Sequence, residues 1–189
     1  MRELHQLTLP KDATVLVLVD FQERLYRAMD PERKDEVVKN TGFLINLARL
    51  LKMPIMVTEQ YPAGLGKTIP PVQEVLPSDA RVFEKLIFSA WREERFAAHF
   101  NDLAARAAIV TGMEAHVCVL GTVLDMVKQG ITVHVPRDAV ISRSKENWQT
   151  GLDVMGQAGA LITSTETVIF QLLDRAGTEE FKAMSKLLK

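Results

Sequence analysis

The sequence predicts an α/β fold: a three-layer α/β/α arrangement around a mainly parallel, six-stranded sheet, forming a single domain over residues 1–189. Two observations carry that reading. Short β-branched runs alternate with longer stretches of helical periodicity from end to end, and such alternation builds parallel sheets through right-handed crossovers. The first run, residues 14–19, is apolar at every position, as a strand buried between two helix layers must be. No internal repeat, low-complexity tract or linker interrupts the pattern.

Each element follows from local signals. The first strand ends at Asp20, and residues 22–29 lead into a helix over 32–51 whose start is marked by Pro31. Residues 54–58 form the second strand. Residues 59–78 hold Pro62, Gly64, Gly66, Pro70, Pro71 and Pro77, and read as a long loop broken by short turns at most. Residues 81–83 make a short third strand. Asn101 is placed to cap the helix preceding the fourth strand, residues 107–111. Residues 115–129 are helical and closed by Gly130. Strands at 131–135 and 160–163 flank a helix over 145–158, and helices at 166–173 and 178–188 finish the chain.

Composition narrows the function classes. With 47 % apolar and 25 % charged residues the chain has enough apolar mass for a packed core, which excludes disordered and fibrous classes. Lys and Arg number 23 against 24 Asp and Glu, so no excess charge invites nucleic acid or an anionic membrane as partner. One cysteine permits no internal disulfide and points to a reducing, cytoplasmic compartment. The first ten residues lack the apolar run of a signal peptide, and no apolar stretch reaches the roughly 18 residues a membrane span needs.

In open parallel sheets, ligands bind beyond the carboxyl ends of the strands. Asp20 follows the first strand, Glu59 and Gln60 the second, Lys85 the third and Asp138 the fifth, while Cys118 starts the helix after the fourth. Taken singly each has a bland reading: a helix cap for Asp20, a small hydrophobe for Cys118, a solvated loop residue for Lys85. Their convergence on one edge points to chemistry. A thiol in the first turn of a helix faces free N–H groups and the positive dipole end, which predicts a thiol pKa below its ordinary value of about 8.5. The same N–H groups suit an oxyanion, and an adjacent Asp suits proton transfer.

Phe21, Gln22, Gln60, Phe88 and Trp91 flank these positions in sequence and are candidates for the pocket wall. For the three aromatic residues core packing competes evenly with that role. His116, two residues before Cys118, is expected to fill a variable turn position, His134 to pack within its strand, and His5 and His99 to lie on the surface. The four histidines show no His-x-His or His-Glu-x-x-His spacing, so no metal site and no cofactor are expected. Gly64-x-Gly66 followed by Lys67 lacks the spacing of a phosphate loop. Phe181, Met184, Leu187 and Leu188 could bury the last helix against its own sheet or against a neighbouring copy.

Three ordered motifs resemble the isochorismatase-like cysteine hydrolases, which include nicotinamidases and N-carbamoylsarcosine amidases, over essentially the whole chain. They are Leu18-Val-Asp-Phe-Gln22, Glu84-Lys-Leu-Ile-Phe-Ser-Ala90, and Thr111-Gly-Met-Glu-Ala-His-Val-Cys-Val119 with Thr122 following; Val135-Pro-Arg-Asp-Ala139 and Ser142-Arg-Ser144 add to the likeness. The resemblance implies an Asp20–Lys85–Cys118 triad and an oxyanion hole from the backbone N–H groups of Cys118 and of the preceding turn near Glu114. It also implies a cis peptide at Met113–Glu114, a homo-oligomer, and hydrolysis of a small amide or related C–N substrate through a thioester. Val57-Thr-Glu-Gln-Tyr-Pro62, with Gly64-Leu-Gly66 and Glu114-Ala115, is similar to the isochorismatase-domain proteins of bacteria and animals. Nicotinamidases carry an Asp and several His as metal ligands after the second strand, where this chain has Glu59 and no histidine. Aryl isochorismatases often lack the cysteine, so its presence favours covalent amide or ester chemistry. A partner-binding protein on the same fold and a metal-assisted nicotinamidase are the competing readings.

Overall fold

The computed structural model describes residues 7–188. His5 lies outside them. Seven strands form one sheet: β1 (Thr14–Val19), β2 (Ile55–Gln60), β3 (Arg81–Lys85), β4 (Ala107–Met113), β5 (Thr132–Pro136), β6 (Val140–Ile141) and β7 (Leu161–Thr163). Their order is β3-β2-β1-β4-β5-β7, with β6 paired to β4, and every pairing is parallel. Six strands stand where the sequence places them. The seventh, β6, is two residues long, too short for periodicity to reveal.

Helices cover both faces: α1 (Glu23–Ala28), α2 (Lys34–Leu51), α3 (Pro62–Leu65), α4 (Pro70–Gln73), α5 (Glu94–Asp102), α6 (Leu120–Lys128), α7 (Lys145–Ala158), α8 (Thr165–Leu173) and α9 (Glu179–Leu187). Alternation along β1 divides the interior. Leu16 and Leu18 pack with Val37, Leu44 and Ile45 of α2, Ile169 of α8 and Met184 of α9. Val15, Val17 and Val19 face Phe96 and Phe100 of α5, Val123 and Met126 of α6 and Leu152 of α7. Burying apolar surface on both sides at about 25 cal/mol per Å² is what holds the sheet between its helix layers. The last helix therefore docks on its own chain through Met184, Phe181 and Leu188, leaving Leu187 exposed.

Several boundaries differ from expectation. The 59–78 segment is no plain loop: β2 runs on to Gln60, and two one-turn helices, α3 and α4, begin at Pro62 and Pro70, where a missing N–H costs nothing. Lys85 is the last residue of β3 rather than a loop residue beyond it. Asn101 lies within the last turn of α5, whose N-cap is Glu93, so it caps nothing at the start. Gly130, with φ +80°, follows the end of α6 as expected of a left-handed terminator. Gly112 is required by a close approach. A Cβ there would stand 2.1 Å from the Val19 carbonyl oxygen, at the level where β1 and β4 deliver their residues to the site.

Candidate active site

The register of the sheet brings the polar residues together. Val19 is level with Thr58 and Gly112, and Gln60 is level with Lys85. Thr58 and Gln60 therefore share a face with Phe83 and Lys85, and Asp20 emerges between the ends of β2 and β4. Asp20 adopts φ +55°, a left-handed conformation that Asp tolerates better than most residues, so the chain turns sharply as it leaves β1.

Asp20 and Lys85 form an ion pair at 2.7 Å with both side chains wholly removed from solvent. Such a pair holds only if the remaining polar atoms find partners. They do. Thr58 Oγ1 donates to Asp20 Oδ1 at 2.6 Å. Lys85 Nζ donates to Asp20 Oδ2 at 2.7 Å, to Gln60 Oε1 at 2.8 Å and to the Phe88 carbonyl at 2.9 Å.

Cys118 lies in a π-helical turn, Ala115–Val119, that leads directly into α6. It is 5 % exposed, whereas Asp20 is fully buried. Burial pushes its thiol up to about 12, with the Asp20 carboxylate acting in the same direction and Lys85 opposing both. The depressed thiol expected from the helix start is not what this environment produces. Removing a thiolate from water costs more here than the ammonium returns. At neutral pH the sulfur keeps its proton, and the Asp20 carboxylate lies within hydrogen-bond reach of it.

The turn before Cys118 is braced from several sides. The Met113–Glu114 peptide is cis, as the resemblance implies. The Glu114 carbonyl accepts from the N–H groups of Val117 and Val119, and its carboxylate pairs with Arg143 at 2.6 Å. His116 Nδ1 stands 2.9 Å from Ser142 Oγ. Gly151 of α7 presses against the turn, where a Cβ would come within 2.7 Å of the Ala115 carbonyl oxygen. Thr122 Oγ1 donates to the Cys118 carbonyl at 2.7 Å and accepts from the Ala90 N–H at 2.8 Å, tying the helix to the segment after β3.

The remaining candidates separate. Phe21 is wholly buried in the core beneath α2. Trp91 is half-buried, edge-on to Phe100 at 5.4 Å. Phe88 is 61 % exposed and continues an apolar strip with Leu86, Ile87 and Tyr61. Part of that strip, with Lys85, Glu93 and Arg95, borders a surface cavity of about 610 Å³. Gln22 is spent on the backbone: its amide donates to the Gln60 and Gly66 carbonyls and accepts from the Gln60 N–H. Gln60 is engaged at both ends of its amide, by Lys85 and by the Leu86 carbonyl. Glu59 is likewise occupied, accepting from Thr68 N and Oγ1 and pairing with Lys67. His134 is buried in β5, and His99, expected on the surface, is half-buried beside Phe83. Among the described residues no group of three or more His, Cys, Asp and Glu could hold a metal ion. No helix among them is long and apolar enough to cross a membrane.

Thr58 is the residue sequence reasoning missed. Its signal was available: it stands two before Gln60, hence on the same face of the same strand.

Comparison with known proteins bears on the family and the fold. The sequence pattern of the Isochorismatase domain matches residues 14–167. A secreted isochorismatase effector of Phytophthora sojae is 38 % identical over 180 residues, covering 94 % of this chain and 85 % of its own. Human isochorismatase domain-containing protein 2 is 36 % identical, covering 94 % and 83 %. The structure of a protein named MAR1 ribonuclease from Caenorhabditis elegans superposes with a TM-score of 0.88 at 34 % identity, over 96 % of this chain and 92 % of that one.

Proposed function

From the premise that this chain belongs to the isochorismatase family, with its hydrolase fold, we propose that it is a cysteine hydrolase acting on a small amide or related C–N substrate. One observation carries the reading: a fully buried Asp20–Lys85 ion pair adjoins a cysteine that is the member of the trio with the greater access to solvent. Burying two charges is costly, and structural stability alone is better served by apolar packing. A chain that retains them beside a thiol has a chemical use for them.

The thiol proton moves to the Asp20 carboxylate as sulfur attacks the substrate carbonyl carbon, so the thiolate need not accumulate beforehand. This suits a thiol pushed up to about 12. The backbone N–H groups of Glu114 and Cys118 stabilise the charge that develops on the carbonyl oxygen. As the C–N bond breaks, Asp20 returns its proton to the departing amine, leaving a thioester on Cys118. Water then attacks the thioester while Asp20 takes its proton; the acid departs and the sulfur is reprotonated. Lys85 stays charged throughout.

Cys118 is only 5 % exposed, an opening that suits a small carbonyl compound better than a polynucleotide phosphate and argues against transferring the ribonuclease name of the nematode protein. A lone free thiol suits a reducing compartment, and we place the protein in the cytoplasm on that ground. The exposed strip of Tyr61, Leu86, Ile87 and Phe88 supports a homo-oligomer.

The test is a panel of small amides, carbamoyl compounds and esters, with RNA as a separate arm. Intact-mass spectrometry after rapid acid quench should find one acyl group, mapped to Cys118. Turnover of any substrate by Cys118→Ala at the native rate, or RNA cleavage with no acylation, refutes the mechanism.

A further inference from the structure

We propose that Gln60 is a positioning residue that acts through Lys85: its amide oxygen locks the ammonium in place as a fixed charge, and the residue does not recognise substrate. The inference rests on the cysteine-hydrolase reading and adds a division of labour within it.

An ammonium has three protons and no acceptor. At Lys85 all three are committed, to a carboxylate, an amide oxygen and a backbone carbonyl, at 2.7, 2.8 and 2.9 Å. The nitrogen has no lone pair to offer, and releasing a proton would leave one of these acceptors, two of them buried, without its donor. Proton traffic therefore falls to Asp20, and Lys85 contributes its field.

Gln60 is suited to enforce this because it cannot turn around. Its Nε2 donates to the Leu86 carbonyl at 2.9 Å. Its backbone N–H and carbonyl are both held by Gln22, at 2.7 and 3.0 Å, and Gln22 is itself anchored to the Gly66 carbonyl at 2.7 Å. Reversing the Gln60 amide would set its NH₂ against the ammonium and its oxygen against the Leu86 carbonyl, two repulsions in place of two hydrogen bonds. Gln60 is 8 % exposed, so water is a poor substitute for either partner. Of the three acceptors, the Phe88 carbonyl belongs to a segment with exposed side chains, and Asp20 must take up protons during the reaction. Gln60 is the acceptor that neither titrates nor belongs to an exposed loop.

The experiment reads the chemistry of Cys118 without needing the natural substrate. Iodoacetamide alkylation of the intact protein is followed by mass from pH 6 to 10 for native, Gln60→Met, Gln60→Glu, Lys85→Met and the Gln60→Met/Lys85→Met pair. Gln60→Met keeps the volume and removes the acceptor. It should slow alkylation about tenfold or more, the range expected for losing a hydrogen bond to a charged group. Gln60→Glu keeps an acceptor but adds negative charge near the sulfur, so its rate should rise at higher pH than in Gln60→Met. With Lys85 already replaced, Gln60→Met should change the rate less than about twofold, because its route of action is gone.

The proposal is overturned if Gln60→Met matches native, or if it costs the same with and without Lys85. Should Gln60→Met fail to fold, as judged by near-UV circular dichroism, Gln60→Glu decides: a pH profile identical to native overturns the proposal. If Lys85→Met itself leaves alkylation unchanged, the reading of the whole site falls with it. An effect of Lys85→Met with none of Gln60→Met sinks this proposal alone.

Discussion

Two carboxylates leave the same edge of one parallel sheet, Asp20 directly after β1 and Asp138 two residues after β5, and the sequence marks both as strand-end acids. Asp138 is half-buried, and its Oδ1 accepts from the N–H and hydroxyl of Thr165 at 2.8 and 3.0 Å, while Asn40 donates to its carbonyl. It fastens the start of α8 and meets no buried cation. Asp20 caps nothing; its own side chain is fully buried and faces Lys85, Thr58 and the Cys118 thiol. Position at a strand end therefore does not decide a carboxylate's use. Its partners do, and they arrive from elements distant in sequence.

The largest expected effects separate these two residues. Asp20→Asn should lower turnover by about 10³-fold, within the range for losing a positioned acid–base group. It should also cost about 3–5 kcal/mol of stability in urea unfolding, because Lys85 is left buried without its counter-charge. Asp138→Asn should cost about 1 kcal/mol, as for a weakened helix start, and leave turnover within about threefold of native. Equal losses of activity in the two variants would erase the distinction. Pairing Asp20→Leu with Lys85→Met sharpens it: removing both charges should recover most of the lost stability and none of the turnover.

A second comparison sets Cys118 against an ordinary thiol. In the unfolded chain the group titrates at its ordinary value, and in the folded chain it is pushed up to about 12. Between those values the folded state holds a proton that the unfolded state has released, so stability falls as pH rises. Native protein should lose about 1 kcal/mol per pH unit relative to Cys118→Ser above pH 9, measured by chemical denaturation, and nothing relative to it below pH 8. Parallel curves would mean that burial does not govern this thiol. Thr58→Val should lower turnover about tenfold by removing the donor to Asp20 Oδ1, and Thr58→Ser, which keeps the hydroxyl, should restore it to within about threefold.

What was legible in the sequence follows from what is local. The apolar run of β1 and the helical periods of α2, α7 and α8 report burial directly, so those elements stand where expected. The meeting of Asp20, Lys85 and Cys118 at one edge of the sheet was legible through the rule that strand ends meet. The prolines at 62 and 70 read as loop breakers because the same residue opens a short helix as readily as it ends one. The occupation of Gln22 and Gln60 was hidden, since it depends on the loop around Gly66 folding back over β2. The thiol's direction of shift was misread for the same reason. A helix start is a local feature, but the burial that outweighs it is assembled from strands and helices distant in sequence.

His116 offers the smallest and most discriminating test. It lies two residues from Cys118, and a Cys–His pair is a common catalytic arrangement, so proximity in sequence invites that role. Residues two apart on a helical turn do not face one another. The Nδ1 atom of His116 is engaged by the hydroxyl of Ser142, which is buried beside β6. His116→Ala should therefore change turnover less than about threefold and leave the shape of the pH–rate profile between pH 6 and 7 intact, where a histidine base would titrate. It should still cost about 1 kcal/mol of stability, the usual worth of a hydrogen bond to a buried hydroxyl. A lost limb in that pH window would make His116 the base and reduce Asp20 to a counter-charge for Lys85.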